Sequence, residues 1–151
     1  MTGPIALGAE APDFTLKDQD GKDVTLSSFR GKKVLLSFHP LAWTPICRDQ
    51  MKSLEENYGR FEAKNCVPLG LSVDAVPSKE AWAEAIGIGR LRLLADFWPH
   101  GGVAGKLGIF RERNGFSERA NILIDERGKV VWVRVYEIKT LPDVEEVLSA
   151  F

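Results

Sequence analysis

Val34-Leu35-Leu36-Ser37-Phe38-His39-Pro40-Leu41-Ala42-Trp43-Thr44-Pro45-Ile46-Cys47 runs from an apolar stretch into a helix start without interruption. Val34 to Phe38 is apolar on both alternating faces, the mark of a central strand covered by helices on both sides. Thr44 is an N-cap residue type and Pro45 suits the first helical position, so a helix follows directly. Its apolar positions, Cys47, Met51, Leu54, Tyr58 and Phe61, recur at spacings of four, three, four and three, which carries one long helix to about Lys64. A cysteine thus stands in the first turn of a helix, just past the C-terminal end of a central strand, where open α/β sheets bind their ligands.

Working outward, Asp13 to Leu16 and Asp23 to Leu26 flank the turn Asp18-Gln19-Asp20-Gly21 and predict an N-terminal hairpin. Val67 to Val73 reads as a second strand, Ser78 to Ile86 as a helix capped by Ser78, and Leu91 to Ala95 as a short strand. A brief helix over Val103 to Leu107 follows Gly101-Gly102. Ala120 to Ile124 and Val130 to Tyr136 are strands joined by the turn Asp125-Glu126-Arg127-Gly128, and Leu141 to Phe151 is a closing helix. Strands and helices alternate early and a hairpin comes late, so the fold class is α/β with a central mixed sheet flanked by helices. No linker, repeat or low-complexity stretch divides the chain, and residues 1–151 read as one domain.

Composition narrows the partners. The 151 residues are 44% hydrophobic and 27% charged, with 20 basic against 21 acidic side chains and a net charge of -1, so nothing draws the chain to nucleic acid or anionic lipid. Its longest apolar stretches fall far short of the roughly 18 residues of a membrane span. Met1 to Gly8 lacks the basic and apolar regions of a signal peptide, which predicts a cytoplasmic address. Two cysteines are too few for a secreted disulfide scaffold and leave a reactive thiol, a redox pair or two buried thiols.

Several motifs dissolve on inspection. Gly101 to Leu107 resembles a phosphate loop, but His100 stands where a glycine is required and Leu107 where Ser or Thr would hold magnesium. Asp18-x-Asp20-Gly21 lacks the remaining ligands of a calcium loop and is a plain turn. His39, His100 and the cysteines show no zinc-ligand spacing, so neither a metal nor a cofactor is expected. Of the four tryptophans only Trp43 lies beside the candidate site. Cys47 sits at the third helical position, where unpaired N–H groups and the helix dipole favour a thiolate. The residues by themselves leave it open between such a thiol and a small buried hydrophobe. Cys66, at the mouth of an apolar strand with no cap or charge beside it, reads as the latter.

Pro40-x-x-x-Thr44-x-x-Cys47 resembles the active-site pattern of the peroxiredoxins, and the stretch Pro40 to Cys47 is most similar to the one-cysteine alkyl hydroperoxide reductase E group. Gly70-Leu71-Ser72-Val73-Asp74, Leu94 to Gly101 and Arg119 to Asp125 resemble later segments of that family in the same order, so the likeness runs from about Gly8 to Tyr136. The resemblance implies a thioredoxin-like fold, with Cys47 as the peroxidatic cysteine and Pro40, Thr44 and Arg119 completing its site. It also implies a pocket touched by Trp43 and His39, and a homodimer with contacts at Trp43 and Val76-Pro77. Gln50 stands where the family commonly has Glu, and His39 where it commonly has Tyr or Phe.

A peroxidase of this type reduces hydrogen peroxide and organic hydroperoxides through a sulfenic acid on Cys47. An external thiol of thioredoxin, glutaredoxin or low-molecular-weight kind restores the sulfur. No resolving cysteine matches the family's positions, which favours a one-cysteine mechanism over a two-cysteine one through Cys66. A non-enzymatic thioredoxin-fold binding or holdase module is the remaining alternative. Thiolate formation alone does not make a fast peroxidase. Bringing a thiol from about 8.5 to about 6 raises its thiolate fraction at neutral pH from roughly 3% to roughly 90%. The same change costs about tenfold in nucleophilicity, so donors that hold the peroxide must supply the rest. The Thr44 hydroxyl, the Cys47 N–H and the Arg119 guanidinium suit that task.

Overall fold

A computed structural model, describing residues 3–151, shows what the central apolar run supports. Val34–Phe38 lies within strand β3 (Lys33–Phe38), and each of these side chains is buried. β3 pairs in parallel with β4 (Cys66–Ser72) and antiparallel with β8 (Arg119–Ile124), so Ser37 lies between Gly70 and Asn121. β5 (Arg92–Ala95) extends the sheet in parallel beside β4, and β9 (Val130–Tyr136) closes it antiparallel to β8, giving the order β5-β4-β3-β8-β9. This is a mixed sheet of the thioredoxin-like kind. A separate hairpin, β1 (Thr15–Lys17) and β2 (Asp23–Thr25), precedes it. Asp18 Oδ1 closes the hairpin turn by accepting the Asp20 and Lys22 N–H groups, the work of a turn aspartate.

Two apolar layers hold the sheet. Val34, Leu36, Phe38 and Ile122 face the hairpin and a short helix, α4 (Gly102–Lys106). Leu35, Leu93 and Leu123 face three helices: α1 (Pro45–Glu56), α3 (Val76–Ile86) and α5 (Val144–Ser149). On that second face the strands turn polar at one end, where Ser37, Asn121, Ser72, His39 and Arg119 follow the leucines and are all buried. Buried polar side chains call for partners, and Ser37 and Arg119 find theirs at the candidate site.

The structure corrects several boundaries. The long helix expected to about Lys64 is two, because Asn57 leaves helical geometry (φ −103°, ψ 13°) and its Nδ2 donates to the Ser53 carbonyl; α2 (Tyr58–Ala63) follows. Ser78 is not the cap of α3. Ala75 is, and Pro77 sits inside the first turn, where its missing N–H costs nothing. The closing helix is shorter than expected and begins after Asp143, whose Oδ1 accepts the Glu145 N–H. Leu26–Phe29 is a 3-10 turn rather than the end of β2. A small hairpin, β6 (Phe110–Arg111) and β7 (Phe116–Ser117), has strands too short to show any periodicity. Among the described residues no helix is long and apolar enough to cross a membrane, and no three His, Cys, Asp or Glu gather to hold a metal ion.

Candidate active site

The chain leaves β3 through His39 and Pro40, both buried, and turns into α1 over Leu41 to Thr44. Trp43 takes φ +69°, a left-handed conformation rare outside glycine, and Thr44 returns to extended geometry before Pro45 opens the helix. This sharp entry aims the first helical turn at the end of the sheet. Cys47 points inward and is only 1% exposed. No side chain caps the turn, because the Thr44 hydroxyl donates to the Leu41 carbonyl at 2.7 Å. The first-turn amides therefore stay free to face a ligand at the sulfur.

Arg119, the first residue of β8 and 3% exposed, reaches the sulfur from below. Its Nη1 lies 3.4 Å from Cys47 Sγ and 2.7 Å from Gln50 Oε1, and its Nε donates to the Ile138 carbonyl at 2.9 Å. Gln50, one turn beyond Cys47, is fixed in turn by its Nε2, which donates to Ser37 Oγ at 2.8 Å and to the Phe38 carbonyl at 3.2 Å. A neutral amide thus orients the guanidinium with every polar atom engaged, and leaves its charge unpaired by any carboxylate. The spacing of three from Cys47 was the available signal for Gln50, since it places both side chains on one helix face.

Above this pair opens a cavity of about 240 Å³. Cys47, Thr44, Pro40 and Arg119 all line it, together with Leu41, Pro45, Ile46, Phe116, Ile138 and Lys139. The walls are mostly apolar, and the polar groups converge at the sulfur. Phe116 comes from the β6–β7 hairpin, and Ile138 and Lys139 from the segment after β9. Nothing local in the sequence marks these three, because only the tertiary fold brings them to the cysteine.

Trp43 and His39 do not line this cavity. The Trp43 indole is 56% exposed, donates from Nε1 to Ser78 Oγ at 3.0 Å, and lines a separate hollow with Arg48, Trp82 and Ile86. Its left-handed backbone turns the ring outward. His39 is fully buried, with its ring centroid 5.4 Å from that of Trp82 and neither ring nitrogen hydrogen-bonded. Burial holds its pKa well below the usual histidine range, and the cations of Lys79 and Arg119 push the same way, so the ring is neutral.

Cys66 is the first residue of β4, paired with Lys33 at the end of the sheet opposite the cavity. The run of β3 alone, about 17 Å at 3.3 Å per residue, separates the two ends. Burial pushes the Cys66 thiol up to about 12, so it stays protonated at neutral pH.

A model of the AhpC/TSA family matches residues 7–133. Alkyl hydroperoxide reductase E of Mycobacterium tuberculosis is 40% identical over 143 residues, which cover 94% of this chain and 91% of that protein. A peroxiredoxin of Thermoplasma volcanium is 35% identical, with 96% of this chain and 72% of the relative covered. The reduced 2-Cys peroxiredoxin of Plasmodium vivax superposes with a TM-score of 0.86 at 31% identity, over 96% of this chain and 79% of that one. Enterococcus faecalis AhpC shares the fold, with a TM-score of 0.88 at 23% identity over 95% and 88% of the two chains. The likeness extends over the sheet, the cysteine turn and the strand that delivers the arginine, and the chain belongs to the AhpC/TSA family: it is a peroxiredoxin, a thiol-dependent hydroperoxide reductase.

Proposed function

We propose that residues 1–151 act as one domain that reduces hydroperoxides by a one-cysteine mechanism. The Cys47 thiolate attacks the terminal peroxide oxygen, the O–O bond breaks, and the sulfur becomes a sulfenic acid while an alcoholate leaves and takes up a proton. One external thiol then displaces water from the sulfenic acid to form a mixed disulfide, and a second releases Cys47 and carries away the oxidised pair. The observation that carries this reading is the placement of the two thiols. Cys66 lies at the opposite end of the sheet, buried and protonated, whereas a disulfide tolerates a Cα separation of only about 7 Å.

The cavity supports roles for its polar lining. Arg119, 3.4 Å from the sulfur, can follow negative charge as it moves onto the leaving oxygen, and the free first-turn amides can hold the other oxygen in line. Thr44 lends its hydroxyl lone pairs, its proton being committed to Leu41. Pro40 shields the sulfur without offering an N–H. The apolar walls suit organic hydroperoxides as well as hydrogen peroxide. A second copy of the chain is the partner we propose for the exposed aromatic side chains near the first turn of α3, where Phe97 and Trp98 share a hollow with Val76 and the Trp43 indole is held by Ser78.

One equivalent of peroxide should add a single oxygen to the intact mass, trappable by a sulfenic-specific reagent. Turnover with a small thiol should vanish in Cys47→Ser and persist in Cys66→Ser. A dominant monomeric disulfide, with the loss of two hydrogens, would replace this reading with a two-cysteine mechanism.

A further inference from the structure

A second cation is enclosed in the core beside the site. Lys79 lies three residues before Trp82 on the buried face of α3 and is fully inaccessible. A buried ammonium is costly unless it is hydrogen-bonded and paired, so its partners define its role. Its Nζ donates to Ser72 Oγ at 2.5 Å, Ser72 Oγ donates to Asp74 Oδ2 at 2.6 Å, and that same carboxylate oxygen accepts the Ala42 N–H at 2.8 Å. Ala42 lies between Leu41, whose carbonyl holds the Thr44 hydroxyl, and Trp43, whose backbone is left-handed. The neighbouring Ser78 holds the Trp43 indole. The start of α3 therefore grips the loop before Cys47 at two points.

An ammonium has donors and no acceptor, so Ser72 can only receive from Lys79 and must give its own proton to Asp74. The charge on Lys79 dictates the direction of the whole chain of bonds. We propose that Lys79 is a positioning residue for the reaction at Cys47: through Ser72 and Asp74 it holds the Ala42 amide, and with it the Pro40–Thr44 loop, in the geometry that receives the peroxide. The inference rests on Cys47 as the reacting thiol.

A neutral amine can accept, so loss of the Lys79 proton lets Ser72 turn its hydrogen toward Nζ and deprives Asp74 of a donor. Burial brings Lys79 down to about 8, against the pull of Asp74 after β4, Cys47 on α1 and Asp96 after β5. The other titratable group facing it, His39 after β3, is neutral. The relay is accordingly intact at neutral pH and released in mild alkali.

The test is the rate of Cys47 oxidation by hydrogen peroxide, followed in single turnover from pH 6 to 10. Wild type should exceed Lys79→Met by about tenfold at neutral pH, a misplaced-loop effect, and this ratio should shrink to about one above the Lys79 titration. Lys79→Met also removes a cation that faces Cys47, so Ser72→Ala decides between positioning and charge: it keeps the buried charge but cuts the relay, and should show the same ratio and the same convergence, the wild-type rate falling to meet it. A wild-type profile in either variant, or a deficit that stays constant with pH, overturns the inference. If Lys79→Met does not fold, Ser72→Ala decides by the same criterion. Oxidation that persists in Cys47→Ser instead refutes the assignment of Cys47, which keeps the two failures apart.

Discussion

Among the described residues the Arg119 side chain makes three hydrogen bonds, and none is to a carboxylate. The guanidinium charge is therefore undiminished where the thiolate and the leaving oxygen need it. Gln50→Glu would place an anion at the same Oε1 position, 2.7 Å from Nη1 in the wild type, and would lose the donor now facing the Phe38 carbonyl. Peroxide reduction at neutral pH should fall about tenfold, the scale of one added nearby charge, and recover as pH rises. Arg119→Met should slow the reaction roughly a hundredfold, as removal of an oxyanion donor does, and should stay slow at a pH where the thiolate is fully formed. Stopped-flow profiles separate the two, since full recovery of Arg119→Met in alkali would reduce Arg119 to an influence on thiolate formation. His39 has a different signature. Its folded-state pKa lies well below the unfolded value of about 6.5, so below pH 6.5 the unfolded chain binds the extra proton and stability falls with acidity. His39→Leu should flatten that acid limb in denaturant titrations, and an unaltered slope would assign it to other groups.

At the scale of elements, α1 depends on a close approach to β4. A Cβ at Gly70 would lie 2.5 Å from Met51 Sδ, 2.9 Å from Leu93 Cδ2 and 3.6 Å from His39 Cε1. Gly70→Ala must therefore displace the packed Met51 and Leu93 side chains one turn beyond Cys47, at a cost of about 1–3 kcal/mol, visible as a lower denaturation midpoint. An unchanged midpoint would show that Met51 moves aside freely. The start of α1 was legible in the sequence because Thr44, Pro45 and the Cys47–Met51–Leu54 spacing are local signals, and β3 because it is apolar on both faces. The break at Asn57 was not, since the apolar spacing runs straight through it. Ser78 read as a cap for a similar reason: its hydroxyl serves Trp43, thirty-five positions away, rather than its own helix. The Cys47 and Arg119 ends of the cavity came from a motif and its resemblance. Phe116, Ile138 and Lys139 had to await the fold, and Lys79 was hidden by its type, a charged residue at an apolar helical position.

For the whole molecule, the two thiols set opposite ends of the sheet to different tasks. Cys66 is moved from an ordinary 9.0 to about 12, so between those values the unfolded chain loses a proton that the folded one keeps. Folding stability should decline as pH rises through this window, by an amount on the order of 4 kcal/mol, and Cys66→Ala should lessen the decline. Trp98 is 80% exposed and Phe97 50%, a large apolar surface for a lone subunit. For the pairing of two copies proposed above, Trp98→Lys should lower the sedimentation coefficient to that of a monomer, and a wild-type protein that already sediments as a monomer would remove the second copy from the picture. Trp43 is tethered to Ser78 by one hydrogen bond and stands four positions before Cys47. An indole so placed is an optical gauge: its share of the emission, taken as the difference between the wild type and Trp43→Phe, registers slackening of the loop toward water, so fluorescence recorded during a single turnover follows the backbone while mass analysis follows the sulfur, with no label attached.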